Sequence, residues 1–319
     1  MIFRLLIFSL RNCLVLRMKA NNKFIYQDLS FWADVRCISQ EVGYTERQGG
    51  GIKIPTAYEI ETVYKSKGLS SEHISVRGDP TKYGEVLTDY FEYRADVLNT
   101  IVKNNLMTGD EARALFEEIK QSISPEILKK IPMPLNKQKG EKKNYAFLTC
   151  VVNMLVASSL QKYFEKCDYD PRQLTLLTKD KRPLRTLSRR VDGAFPSSMD
   201  PMAIWEIKEY YYTTTFGSRV ADGVYETLVD GSELAELLKS TQRKVLHFLI
   251  IDAYGTWWEM GRSYLCRMID MLNMGMVDEI IFGREVVERI PQVFGELLTQ
   301  YVNNNRSVTT SPSKDFPSI

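Results

Sequence analysis

The 319-residue sequence predicts an α/β protein with a mixed central β-sheet flanked by helices, preceded by a mainly helical N-terminal region. Three observations predict this class. Helix-start signals dominate the first half. The second half alternates helical stretches with short apolar runs of strand length. The change falls at a Pro- and Lys-rich stretch, 131–143, which reads as a linker. A hydrophobic content of 44% with 26% charged residues is the balance of a globular chain and excludes a disordered or fibrous one.

The chain opens on an apolar run, Met1 to Leu16, interrupted by Arg4 and Arg11. It is too short and too charged to span a bilayer, and no small-residue cleavage site follows. The expected start is Met18, where a polar run begins, with a weak signal peptide or an amphipathic surface helix as alternatives. Residues 1–19 are therefore set apart as an extension.

Residues 20–130 form the helical region. Thr56-Ala57-Tyr58-Glu59 is a capping box opening a helix to Ser66. Asp79-Pro80 offers a cap and a first-turn proline for a long helix to Asn104. Thr108-Gly109-Asp110-Glu111 is a second capping box, and Ser124-Pro125-Glu126 starts a short helix. Gln48-Gly49-Gly50-Gly51, between Arg47 and Lys53, lacks the spacing of a dinucleotide or P-loop motif and reads as a surface loop.

Residues 144–301 form the α/β domain. A helix is expected over 145–164, then strands over 173–178 and 184–195 with a turn between them. A strand over 202–212, a helix over 218–239 and an apolar strand over 245–251 follow. A helix over 264–273, a strand over 277–282 and a last helix over 284–301 complete it. The polar tail 302–319 is predicted to be disordered.

Charge and cysteine usage narrow the function. Between Lys129 and Arg190 there are 15 Lys and Arg against 5 Asp and Glu, in a chain whose net charge is only +2. That asymmetry points to an anionic partner, or to a solvated basic surface. Five scattered cysteines (Cys13, Cys37, Cys150, Cys167 and Cys266) lack zinc-ribbon spacing and fit free thiols in a reducing cytoplasm. Only His73 and His247 exist, which argues against histidine-metal nucleases and a Ser-His-Asp triad. No Walker A sequence occurs, so no nucleotide cofactor is expected.

The chemistry concentrates in Ala203-Ile204-Trp205-Glu206-Ile207-Lys208. Strand periodicity sends Glu206 and Lys208 to one face, Trp205 and Ile207 to the other. Burying a carboxylate and an ammonium in so apolar a run costs several kcal/mol per ion unless each finds a partner. An ion pair between the two, without further role, is one account. The preceding basic strand, Ser188-Arg189-Arg190-Val191-Asp192-Gly193, ends in an acid followed by glycine. If the strands are hairpin neighbours, Asp192 reaches Glu206. With the Ile207 backbone carbonyl they form a hard-oxygen site suited to magnesium. Lys208 beside it would orient the attacking water.

Asp192, thirteen intervening residues, then Glu206-Ile207-Lys208 resembles the PD-(D/E)XK nuclease superfamily, which includes many type II restriction endonucleases. Val191 stands where that family often has proline. The resemblance covers roughly 145–282, including the order helix, three strands, helix, strand. It implies a restriction-endonuclease-like core and a cytoplasmic enzyme that hydrolyses DNA phosphodiester bonds. Magnesium, with manganese as a substitute, would leave 5′-phosphate and 3′-hydroxyl ends. Double-stranded DNA is the implied partner, a homodimer the expected assembly, and residues 20–130 would serve recognition or dimer contacts; no stable membrane association is expected.

Arg185, Arg189 and Arg190 are expected phosphate contacts, with Ser218 and Arg219 at the next helix start. Asp222, Tyr225 and Glu226 read as structural, Glu85 as an exposed helix acid, and Tyr210 to Tyr212 and Trp257-Trp258 as packing. The alternatives are a repair or recombination nuclease of the same fold, an inactive nucleic-acid-binding module, and a structural protein.

Overall fold

The computed structural model describes residues 18–46, 50–136, 144–161, 166–212 and 218–309. Its N-terminal third is helical. Helix α1 (Leu29–Val42) begins where Asp28 accepts the Phe31 amide. This helix is absent from the sequence reading because its N3 residue is Phe31, so no capping box marks it. Helix α2 (Ala57–Ser66) starts on the Thr56–Glu59 capping box as expected.

Asp79-Pro80 does not open a helix. It is strand β2 (Asp79–Pro80), paired antiparallel with β1 (Ser75–Val76) across a turn where Gly78 has φ 89°. A proline without an N–H is accommodated in so short a strand. Helix α3 (Lys82–Asp96) starts after it, capped by Thr81, and runs on through a π turn (Val97–Val102) into α4 (Lys103–Asn105). Helix α5 (Gly109–Ser122) rises from the Thr108–Glu111 capping box, and α6 (Pro125–Leu128) follows.

The second half begins with α7 (Phe147–Gln161) and strand β3 (Asp168–Tyr169). The strand expected over 184–195 is two. Strands β4 (Leu176–Lys179) and β5 (Arg182–Thr186) pair as a separate hairpin. The chain then leaves that hairpin, drawn aside where the amide and hydroxyl of Ser188 donate to Glu233. It re-enters a sheet as β6 (Gly193–Phe195), next to β7 (Ala203–Glu209). Helix α8 (Ser218–Thr241), strand β8 (Leu246–Asp252), a π turn (Gly255–Met260) and helix α9 (Arg262–Asn273) come next. Strand β9 (Glu279–Phe282) and helix α10 (Val286–Thr309) close the described chain. Residues 302–309 continue α10, where a disordered tail is expected to begin, and residues 310–319 of that tail lie outside the described residues.

The five-stranded sheet has the order β3-β6-β7-β8-β9, so the fold is α/β with a mixed sheet. Pairing is antiparallel as far as β7 and parallel beyond it. Trp205, Ile207 and Ile250 face a core shared with α5, α7 and α10. Leu249, Ile251 and Phe282 face the opposite core with Val220, Val224 and α9. The core on the α7 side of the sheet draws its buried residues from 107 onward. Phe116 of α5 stacks on Phe147 of α7, so α5 and α6 are part of the α/β unit and not of the N-terminal region. The expected linker is also anchored at its described ends, since Asn136 donates to Asn144 and Asn153 to the Pro132 carbonyl. Among the described residues no helix is long and apolar enough to cross a membrane, and Cys37, Cys150, Cys167 and Cys266 are free thiols.

One buried ion pair joins the helical region to the sheet. Arg94 of α3 lies 3.1 Å from Asp270 of α9, and Tyr90 donates to the same carboxylate at 2.6 Å. Both charged side chains are almost wholly buried. Breaking such a pair costs roughly 3–5 kcal/mol, because the remaining charge has no water. Arg94→Met should therefore destabilise the protein by that amount in urea denaturation. Arg94→Met with Asp270→Leu should recover most of the loss; a double variant as unstable as the single would show that the charges are not what matters.

Candidate active site

Glu206 and Lys208 project from β7 toward α8, and Trp205 projects the other way against Phe294 of α10. The faces are those that strand periodicity dictates. Both charged groups are buried, Glu206 at 1% exposure and Lys208 at 6%. Each is accommodated by other ions. Lys208 Nζ lies 3.0 Å from Glu206 Oε2 and 2.6 Å from Glu226 Oε2. Arg189 reaches in from the segment before β6, 2.9 Å from Glu206 Oε1 and 2.7 Å from Asp230 Oδ2. It also contacts Glu226 at 3.2 Å.

Asp192 stands at the open end of β6. Its amide donates to the Trp205 carbonyl, extending the ladder by one rung, and its Oδ2 accepts the Ile207 amide at 2.8 Å. In a strand the N–H and C=O of one residue face the same neighbour. The Ile207 carbonyl is thereby turned toward the same edge as Asp192. Gly193 explains the acid–glycine ending of this segment, because a Cβ there would fall 2.0 Å from the Trp205 ring. A cavity of about 230 Å³ opens beside Asp192 and Ile207, walled by Thr149, Asn153, Glu209 and Asp170. Glu209 belongs to the wall for a structural reason: its carboxylate accepts the Leu148 and Thr149 amides at the start of α7.

The electrostatics divide the carboxyl groups. Burial opposes ionisation of Glu206, but the charges of Lys208 and Arg189 prevail and hold it below its usual range. Burial would lower Lys208, yet the adjacent Glu206 outweighs it and raises the ammonium above its ordinary value. Asp192 is pushed up to about 7 by burial and by the charge of Glu206. Asp230 is pushed up to about 7 by burial, against the pull of Arg189. The cluster therefore has four carboxyl groups and two cations. Two buried oxygens, Glu206 Oε1 and Asp230 Oδ1, have no aligned hydrogen-bond donor. Glu206 Oε1 nevertheless has Arg189 at 2.9 Å, so its charge is already met within the cluster; carboxylate and carbonyl oxygens are by chemistry the type of donor a divalent cation takes. Among the described residues no group of three His, Cys, Asp or Glu side chains is placed to hold a metal. The oxygen groups gathered here that could hold a cation are Asp192, Glu206 and the Ile207 carbonyl.

The other expected residues lie apart. Arg185 is ion-paired with Glu233 and Glu236, so it and Arg189 are both engaged by acids, while Arg190 is exposed. The side chains of Ser218 and Arg219 lie outside the described residues, as do residues 47–49 of the glycine loop. Glu85 and Asp222 are exposed, and Tyr211 donates to Asp252 in the core. His247 is buried, with Nδ1 3.0 Å from the Met276 carbonyl, and burial lowers its pKa, as befits a neutral core histidine. Sequence reasoning took Glu226 as merely structural and passed over Asp230. The available signal was their spacing of four on one helix, which puts both carboxyl groups on the same face.

Residues 107–297 match a family model described as a domain of unknown function, DUF7687. Residues 18–101 match a second model described in the same words, DUF7690. No curated protein and no solved structure matches the chain.

The raised carboxyls set a pH dependence. Asp192 and Asp230 ionise near 3.8 when unfolded and near 7 when folded. The stability they contribute is full below the unfolded value and is lost as pH rises through the folded one. In urea denaturation with EDTA, Asp192→Asn/Asp230→Asn should gain on the wild type from about pH 4 to about pH 7 and hold its lead above that. A difference that does not change over this range would show that both carboxyls ionise normally.

Proposed function

We propose, for a chain that belongs to the DUF7687 family, a magnesium-dependent endodeoxyribonuclease of the restriction-like kind, yielding 5′-phosphate and 3′-hydroxyl ends. One observation carries the reading. Asp192 and Glu206, on adjacent antiparallel strands, couple electrostatically beside a buried lysine two residues further along β7. With the separate β4–β5 hairpin set aside, the elements of the five-stranded sheet and its helices run α7, β3, β6, β7, α8, β8, which is compatible with the order that the resemblance to PD-(D/E)XK nucleases implies.

Asp192, Glu206 and the Ile207 carbonyl would hold the metal, which when bound supplies charge neutralisation at the phosphate and a more acidic water. Lys208, with its pKa raised, stays protonated and is no general base. Its role is to donate hydrogen bonds to the attacking oxygen. Arg189 keeps Glu206 ionised, and Glu226 fixes the Lys208 ammonium. Two such sites in a symmetric homodimer would cut both strands of a duplex.

A second reading has its own observation. Glu206 already contacts both Arg189 and Lys208, which is what a purely structural ion cluster requires. Lys208→Met separates the two. For a nuclease, the variant should stay folded with Arg189 still facing Glu206. It should keep binding DNA and lose plasmid nicking by roughly 100- to 1,000-fold. Asp192→Ala should abolish nicking, together with any rise in melting temperature on adding magnesium. A pure wild-type protein that nicks no supercoiled plasmid with magnesium or manganese overturns the nuclease reading.

A further inference from the structure

Most buried or half-buried arginines of this chain are neutralised by acids, as at Arg94, Arg185, Arg189, Arg243 and Arg289. Three further cations are held differently. Lys103 Nζ of α4 lies 5.6 Å from the centroid of Trp258, and Arg262 Cζ of α9 lies 5.5 Å from the same ring. Arg267 of α9 sits 5.3 Å from Tyr44 and 5.0 Å from Tyr264. Among the described residues none of the three has a carboxylate within 4.0 Å. A ring attracts a cation through its quadrupole and brings no countercharge. Each group thus keeps its full positive charge; Arg267 is further held by a hydrogen bond to the neutral Tyr44 hydroxyl, which leaves the charge unneutralised.

The chain crosses Arg262 closely at Gly50, whose φ is 68°; a Cβ there would lie 2.5 Å from Arg262 Nη1. The positive φ favours glycine there, and the missing side chain lets the Arg262 guanidinium lie close against the backbone. These cations are also joined to the cluster on β7. Trp257, next to Trp258 in the π turn, donates to the Lys208 carbonyl at 3.3 Å, and Thr256 donates to the Tyr210 carbonyl at 2.6 Å. The turn that mounts Lys103 and Arg262 is thus bonded at two points to the end of the strand that carries Lys208.

We infer that Lys103, Arg262 and Arg267 form the surface that takes the phosphate backbone of duplex DNA as it approaches Lys208. This rests on the nucleic-acid part of the proposed function and places the backbone contacts on ring-held cations, away from Arg185 and Arg189. Fixed, unneutralised cations release counterions from DNA when they bind, so affinity through them depends steeply on salt.

The test is fluorescence anisotropy of a labelled linear duplex titrated with the full chain in EDTA, over a range of sodium chloride. Lys103→Gln/Arg262→Gln/Arg267→Gln should weaken binding at least tenfold. It should also flatten the slope of log Kd against log salt by roughly 2–3, about 0.9 for each phosphate that is no longer neutralised. Lys103→Glu, at an exposed side chain that the fold does not need, should weaken binding by itself and decides the matter if the triple variant does not fold. Unchanged affinity and slope overturn the inference, as does a wild type that single-stranded RNA displaces more readily than the duplex does. Plasmid cutting with an unchanged slope in the triple variant overturns this surface and leaves the nuclease standing. A flattened slope in a chain that cuts nothing supports the surface and removes the nuclease.

Discussion

Strand β7 buries two opposite charges in the middle of a sheet, and much of the surrounding architecture answers to that constraint. Taking an ion out of water costs several kcal/mol, and one partner repays it only with excellent geometry. Glu206 and Lys208 are therefore not left to each other. Arg189 is brought in below Glu206, which requires the chain to leave the β4–β5 hairpin after Thr186. Helix α8 must present Glu226 and Asp230 one turn apart on the face that meets them. Hairpin, helix and strand are placed by a single group of five ions.

The opposite face of β7 adds a different restraint. Glu209 is half-buried and accepts the first amides of α7, where a helix has donors without intrahelical partners. The strand is thus tied to α8 directly through Lys208 and, by way of Arg189, through Glu206, and to α7 through Glu209. A carboxylate at the edge, Asp192, is then presented by a backbone with little freedom to drift. Such rigidity is what a site needs if it is to hold reacting groups in one arrangement.

The parts of this arrangement that could be read from the sequence are those governed by short-range periodicity. Alternation along 203–208 places Glu206 and Lys208 together because a strand has a strict period of two. The capping boxes at Thr56 and Thr108 mark true helix starts because both partners of each lie within four residues. Long-range contacts leave no such trace. An acid pair spaced by four on α8 is written the same way whether it meets solvent or a buried arginine. Nothing near Ser188 announces that it will bond to Glu233, 45 residues on, and so divide an apparent strand in two. Asp79-Pro80 misleads for a related reason, since an aspartate before proline suits a turn as well as a cap.

The bridge between Arg94 and Asp270 limits how the chain can be divided. It links a residue within the stretch 18–101 to one within 107–297, each matched by a separate family model. A gene that acquired the second stretch beside a foreign first one would enclose an aspartate with neither its arginine nor the Tyr90 hydroxyl. That carboxyl would have to take up a proton or draw in water, at a cost comparable to the whole margin of stability of a small domain. The bridge thus makes the two stretches one stability unit, since neither can be exchanged for an unrelated sequence without leaving a buried charge unpartnered.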